Sequence, residues 1–184
     1  MTQRNVAVLV GSLRKESLSR KAARTLARMA APSLKLEIVE IGELPLYNED
    51  LEGDVPAPWA AFRARIRAAD ALLFVTPEYN RSVPGLLKNA VDVGSRPWGQ
   101  SVWTGKPAGV VSVSPGPYGA FGANHHIRQS FVFLDVPAML QPEAYIANAG
   151  TLFDVDGKLM DERARQVFES YLDAFGRWID RHAR

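Results

Sequence analysis

The sequence predicts an α/β protein built on an open, mostly parallel sheet with helices on both faces. Three observations carry that expectation. Strand-like and helix-like patterns alternate about five times along the chain. Three of the strand-like runs, Val6–Val10, Ala71–Val75 and Pro107–Val113, are almost wholly apolar, as strands covered on both faces must be. No internal repeat or linker interrupts the series, and 184 residues suit a single domain, expected to span 1–184.

Taken in order, Val6–Val10 stops at Gly11-Ser12. From Ser17 to Ala30, Leu18, Ala22, Leu26 and Met29 recur at helical spacing and make one apolar stripe, which Pro32 ends. Leu34 to Ile41 alternates Leu34, Leu36 and Ile38 with Lys35 and Glu37, the pattern of a strand nearer an edge. Gly42 to Pro58 is a long irregular stretch with three prolines, a length that implies lining a site or an interface. Trp59 to Ala69 reads as a helix with Phe62 and Ile66 inward and Arg63, Arg65 and Arg67 in solvent. After Ala71–Val75 comes a turn and a helix from Pro84 to Val93, whose proline falls where a missing N–H costs little. Pro107–Val113 leads through glycine-rich Gly116–Gly122 to a helix over Ala123–Leu134. A strand is expected within Val136–Ile146. A closing helix is expected over Asp161–Arg184, with Val167, Tyr171, Leu172, Phe175 and Ile179 facing inward.

Composition narrows the function. Hydrophobic residues make up 47% and charged residues 23%, a folded rather than a disordered balance. The absence of cysteine excludes disulfides, thiolate zinc, iron–sulfur clusters and dithiol redox chemistry. Redox work would need a borrowed cofactor. Twenty-two basic residues against 20 acidic give a net charge of +2, with no block of Lys/Arg, so a nucleic-acid partner is not expected. Met1-Thr2-Gln3-Arg4-Asn5 leads straight into the first strand without a secretory apolar region, and no apolar run approaches the roughly 20 residues that span a bilayer. The expected location is the cytoplasm, with no membrane partner.

In an open parallel sheet, ligands sit beyond the carboxyl ends of the strands, so the loops after the three apolar strands hold the candidate site. Ser12, Arg14, Ser17 and Ser19 lie between a strand and a helix start, where hydroxyls, a cation and unpaired helix N–H groups suit a phosphate. Capping alone would need one serine. No P-loop, G-x-G-x-x-G or G-x-S-x-G pattern occurs. The second loop, Thr76 to Gly85, offers Pro77, Glu78, Tyr79 and Asn80, whose amides and flat ring suit a planar heteroaromatic group. A plain turn explains this loop equally well. The third, Ser112 to Gly122, lets backbone approach a ligand at its glycines, with Tyr118 and Phe121 as flanks. On glycine content alone it reads as a flexible connection.

Together Gly-Ser-Leu-Arg-Lys-x-Ser at 11–17, Thr-Pro-Glu-Tyr-Asn at 76–80 and Pro-Gly-x-Leu-Lys-Asn-Ala-x-Asp at 84–92 resemble the NAD(P)H-dependent FMN reductases, nearest their quinone and chromate reductases. The resemblance covers nearly the whole chain. It implies a flavodoxin-like three-layer α/β/α sandwich with five parallel strands in order 2-1-3-4-5. It also implies non-covalent FMN and a homodimer or homotetramer. By motif, Ser12, Arg14, Ser17 and Ser19 would hold the FMN phosphate with Leu18 beside them. Pro77, Glu78, Tyr79 and Asn80 would border the ring, largely through backbone, and Ser114 with Gly116 would close its other edge. Many relatives carry Asn where this chain has Ser19, whose hydroxyl still donates.

The implied reaction is ping-pong. NADH or NADPH gives a hydride to the flavin and leaves, and a quinone then takes the electrons, with chromate or other oxidised compounds as further acceptors. The protein's part is to hold the ring, place donors and exclude water, so no side chain is assigned as catalytic. The alternative is a flavodoxin-type electron carrier, which usually shows a strongly acidic face unlike this slightly basic chain. A flavin-free scaffold is a third class.

Other residues carry less. His125 and His126 are about 100° apart on a helix and cannot share a metal, so an exposed or capping role is expected. His182 falls in a fraying terminus. Trp98 and Trp103 are core or interface, with contact between chains the favoured reading. Arg96 and Tyr118 are the candidate substrate-binding residues. For Arg96, attraction of an anionic acceptor or the NADPH phosphate competes with an inter-subunit ion pair, which is the stronger reading.

Overall fold

Five strands pair in parallel in the order β2-β1-β3-β4-β5: β1 (Arg4–Val10), β2 (Leu34–Val39), β3 (Ala71–Thr76), β4 (Ala108–Val113) and β5 (Ala144–Ile146). The structure, a computed structural model, describes residues 3–182. Met1, Thr2 and the last two residues of the expected closing helix lie outside the described residues. Strand order matches the arrangement that the resemblance implied.

Side chains alternate across the sheet and build two cores. Val6, Val8, Val10, Leu73 and Val75 face α1 (Leu18–Met29) and α5 (Glu162–His182). Ala7, Leu9, Leu72 and Phe74 face α2 (Ala57–Ala68), α3 (Gly85–Ser95) and α4 (Phe121–Leu134). The chain steps from β1 outward to β2, then returns past β1 to β3. That reversal, between β1 and β3, leaves a crevice at the carboxyl ends of these two strands.

Several expectations need correction. Arg63 does not face solvent: it is 6% exposed, because it lies four residues after Trp59 and shares the buried face of Trp59, Phe62 and Ile66. Its Nε and Nη2 have no partner among the described residues. Val167 is 43% exposed, and Phe168, which falls on the stripe of Tyr171, Leu172 and Phe175, takes the inward position. Trp103 is core rather than interface: its ring packs near Phe62 and Phe74, and its indole N–H donates to the Val91 carbonyl at 2.9 Å. His182 ends α5 in order, with Nδ1 2.9 Å from the Trp178 carbonyl oxygen and its ring 4.1 Å from the Trp178 ring. The expected strand over Leu34–Ile41 stops at Val39, and the one within Val136–Ile146 is three residues long.

The long stretch after β2 contains one short turn of 3₁₀ helix, Glu49–Glu52. It is tied down by Asn89 of α3, which accepts from the Tyr47 N–H at 2.8 Å and donates to the carbonyls of Leu44 and Pro45. Trp59 donates to the Pro45 carbonyl and stacks on Tyr47. The Asn89 of the third sequence motif is thus a clasp on this loop.

Candidate functional site

Three loops leave the carboxyl ends of β1, β3 and β4, and the structure brings them together. Gly11 sits so close to the second loop that a Cβ there would stand 3.0 Å from Thr76 Oγ1 and 3.1 Å from the Pro77 ring. The second and third loops meet through the Arg81 guanidinium, 5.3 Å above the Tyr118 ring.

In the first loop Ser12, Ser17 and Ser19 are buried, whereas Arg14 is exposed. Ser17 is the cap of α1, its hydroxyl oxygen accepting from the Arg20 N–H at 3.1 Å. Ser12 Oγ accepts weakly from the Arg14 N–H at 3.4 Å. Both hydroxyls therefore keep a hydrogen to donate. Leu18 and Ser19 open the first turn, which holds no acidic side chain. The nearby carboxylates are occupied: Lys21 holds Glu16 below the usual carboxylate range through a 3.0 Å contact. Arg20 and Glu40 form two bonds at 2.6 and 2.8 Å, which lower the Glu40 pKa and raise that of Arg20. Hydroxyl donors, a helix N-terminus and the Arg14 guanidinium, which has no acidic partner among the described residues, make a donor set that fits a phosphate monoester such as that of FMN.

The second loop is a tight reversal. Tyr79 and Ser82 exchange backbone bonds of 2.9 and 3.0 Å across Asn80 (φ 51°) and Arg81 (φ 64°), two left-handed residues of the kind that cluster at working sites. Pro77 and Glu78 are half-buried, and Tyr79 and Asn80 are exposed. The Glu78 side chain plays a part the sequence reading missed. The residue at the N-cap of helix α4, Ala120, has no side chain that can cap it, and Glu78 Oε2 accepts from the Ala123 N–H at 3.1 Å in its place. The other oxygen accepts from Arg81 at 3.0 Å. This approach needs Gly122, where a Cβ would lie 2.8 Å from Glu78 Oε2 and 2.9 Å from the Arg81 carbonyl oxygen. The signal was present in the sequence: the segment Tyr118 to Ala123 offers no Ser, Thr, Asp or Asn, so the cap had to come from elsewhere.

In the third loop Ser114 Oγ accepts from the Gly116 N–H at 3.1 Å, and the carbonyls of Ser114 and Gly116 accept from Ala149 and Asn148. Beneath it, buried Ser112 donates to the Gly119 carbonyl at 2.7 Å and is met by Asn124 at 3.2 Å. Gly119 (φ +58°) lies against Tyr145, where a Cβ would come within 2.7 Å of backbone. The loop is thus braced rather than flexible. Tyr79, Tyr118 and Phe121 stand exposed around the three loops.

Not every candidate joins the group. Arg96 follows the last residue of α3, about 16 Å along the helix axis from Gly85. Its guanidinium lies over Trp98, 5.5 Å from the ring centre, so it is not brought to the loops. His125 and His126 are exposed as expected. His126 Nδ1 lies 2.6 Å from Ser82 Oγ, and His125 Nε2 lies 2.8 Å from the Tyr145 hydroxyl, whose pKa burial and Glu143 push up to about 12.

Comparison with known proteins points to one chemistry. A family model described as NADPH-dependent FMN reductase matches residues 4–151. The chain is 62% identical over 176 residues to a quinone reductase of Pseudomonas putida, covering 95% of this chain and 94% of that protein. It is 44% identical over 174 residues to a 2-hydroxy-1,4-benzoquinone reductase of Burkholderia, covering 95% of each. Among solved structures, the flavoenzyme NAD(P)H:(acceptor) oxidoreductase FerB of Paracoccus denitrificans superposes with a TM-score of 0.93 at 41% identity, over 98% of this chain and 100% of that one.

Proposed function

We propose, from the premise that this chain belongs to the NADPH-dependent FMN reductase family, that it is an FMN-dependent oxidoreductase passing electrons from NADH or NADPH to quinones. The observation that carries the reading is the meeting of the loops after β1, β3 and β4 at the point where strand order reverses. FMN, when bound, supplies hydride acceptance and return of the electrons. Ser12, Arg14, Ser17, Leu18 and Ser19 would hold its phosphate end. Pro77, Glu78, Tyr79, Asn80, Ser114 and Gly116 would border its ring, with Glu78 acting mainly by locking the second loop to α4. Tyr118, Tyr79 and Phe121 offer flat apolar surface to a planar acceptor and keep water from it. Chromate is a further acceptor on this reading.

The reading takes residues 1–184 as one flavin-binding domain working in the cytoplasm. Among the described residues no helix is long and apolar enough to cross a membrane. Initial rates at several fixed quinone concentrations should give parallel double-reciprocal lines against NAD(P)H, because the donor leaves before the acceptor enters. Intersecting lines would mean both substrates bind together.

The working unit is a homodimer or homotetramer. Trp98 (74% exposed) packs on Phe133 (74%), next to Val132 (86%), and such a patch on the surface of α4 seeks cover. Arg96 over Trp98 belongs to this patch, which favours its interface role. Sedimentation at micromolar concentration should show a multiple of 20.3 kDa. A single species of that mass would refute the assembly.

A further inference from the structure

A cleft of about 190 Å³ runs along the outer side of α1. Lys15, Arg20, Lys21, Arg24 and Arg28 line it against two carboxylates, Glu16 and Asp156. Five positive and two negative charges line the cleft, and Glu40, which pairs with Arg20 from outside it, leaves a net +2, equal to that of the whole chain. The rest of the molecule is therefore balanced in charge, and the net positive charge is concentrated here.

The helix alone does not make this cleft. Arg20, Arg24 and Arg28 recur every four residues and form one ridge, an arrangement in which like charges repel. A turn more than a hundred residues away supplies the opposite wall. Asp154 Oδ1 accepts from the N–H groups of Asp156 and Lys158, at 3.0 and 2.8 Å, and shapes that turn. Arg28 Nη2 donates to the Gly157 carbonyl at 3.2 Å and ties the wall to the helix. Gly157 (φ +76°) lies against the Lys21 stem, 3.4 Å from where a Cβ would stand. Arg20 is neutralised by Glu40 and Lys21 by Glu16, but Lys15 and Arg24 have no carboxylate at ion-pair distance among the described residues. Val155, 93% exposed, is the one bulky apolar side chain on the rim.

The cleft opens at Ser17, the cap residue of the phosphate loop. We infer that it recognises the adenosine 2′-phosphate of NADPH and sets a preference for NADPH over NADH. The inference rests on the loop site being a flavin site fed by a pyridine nucleotide. The 2′-phosphate is a dianion that NADH lacks, and a guanidinium presents a planar fork of donors to such a group. Arg24, which makes no ion pair among the described residues and only a longer-range attraction to Glu40, is the residue placed to take it. Val155 gives the adenine an apolar rest.

Calorimetric titration of the flavin-loaded protein with adenosine 2′,5′-bisphosphate and with 5′-AMP tests this. The bisphosphate should bind about tenfold more tightly or better, the ratio that a charge-assisted hydrogen bond supports. In Arg24→Glu that advantage should vanish and KM for NADPH should rise by a similar factor, while kcat and KM for NADH stay unchanged. Arg24→Lys should keep most of the preference. Flavin absorbance should be the same in both variants and in the parent. Equal affinity for the two nucleotides, or an unchanged NADPH-to-NADH ratio in Arg24→Glu, would overturn the inference. Failure to take up FMN would instead count against the loop site, and the same titration repeated on the flavin-free protein then reads the 2′-phosphate preference by itself.

Discussion

Truncation of Trp103 to alanine should lower the unfolding free energy by about 3–5 kcal/mol, the cost of emptying a large aromatic site in a core. Trp103 is 1% exposed, packs near Phe62 and Phe74, and donates its N–H to the Val91 carbonyl. The backbone of α3 has been shaped to receive it: a Cβ on Gly94 would stand 2.4 Å from the indole ring. Removal therefore leaves both a void and an orphaned carbonyl, and the surrounding sheet and helices cannot collapse into so wide a gap. For a chain of this size the melting temperature should fall by roughly 10 °C. Thermal unfolding of the variant measures this directly. An unchanged melting point together with a smaller oligomer would return Trp103 to a subunit interface. Trp98→Ala should instead leave the protomer's melting point nearly unchanged and loosen the oligomer, since that ring is exposed on the protomer.

Replacement of Gly122 by alanine should weaken FMN binding, although alanine is the better helix former by about 1 kcal/mol. The added methyl would meet Glu78 Oε2 at 2.8 Å and the Arg81 carbonyl oxygen at 2.9 Å. A side-chain oxygen can swing away, but the carbonyl belongs to a turn whose Asn80 and Arg81 are already held in left-handed conformations. The second loop must then lift off α4, and the Glu78 contact to the Ala123 N–H goes with it. Overpacking of this kind costs about 1–3 kcal/mol, which corresponds to a dissociation constant raised roughly 5- to 150-fold. Fluorescence titration of the flavin-free variant with FMN checks it. Tighter or equal binding would show that the second loop does not border the flavin.

The sheet was legible because strands covered on both faces cannot hide their composition: Val6–Val10 and Ala71–Val75 have no polar face to confuse the pattern. The first loop stood out because Ser12, Ser17 and Ser19 exceed what one helix cap uses, and only Ser17 serves as the cap. Long-range geometry was not. Trp98 and Trp103 lie five residues apart in an irregular segment with no periodicity, so nothing local says which ring enters the core. Arg63 obeys the spacing of a buried position and breaks its chemistry, so charge and spacing point in opposite directions. Glu78 was placed at the site by its motif, but its side chain serves a helix that begins 43 residues later, as α4 starts at Phe121. The weaker reading of Arg96, at the mouth of the site, is disfavoured for a similar reason. Nearness in sequence to the second loop means little when a helix of 11 residues carries the chain away from it.

On the proposed function, the three loops hold an FMN that one substrate reduces and another reoxidises. Visible spectra of the FMN-loaded protein under argon test it most directly. NADPH added in equimolar amount should bleach the bound flavin, and one equivalent of a quinone should then restore the oxidised spectrum without further donor. A protein that takes up no FMN, or a bound flavin that neither NADPH nor NADH bleaches, would contradict the account.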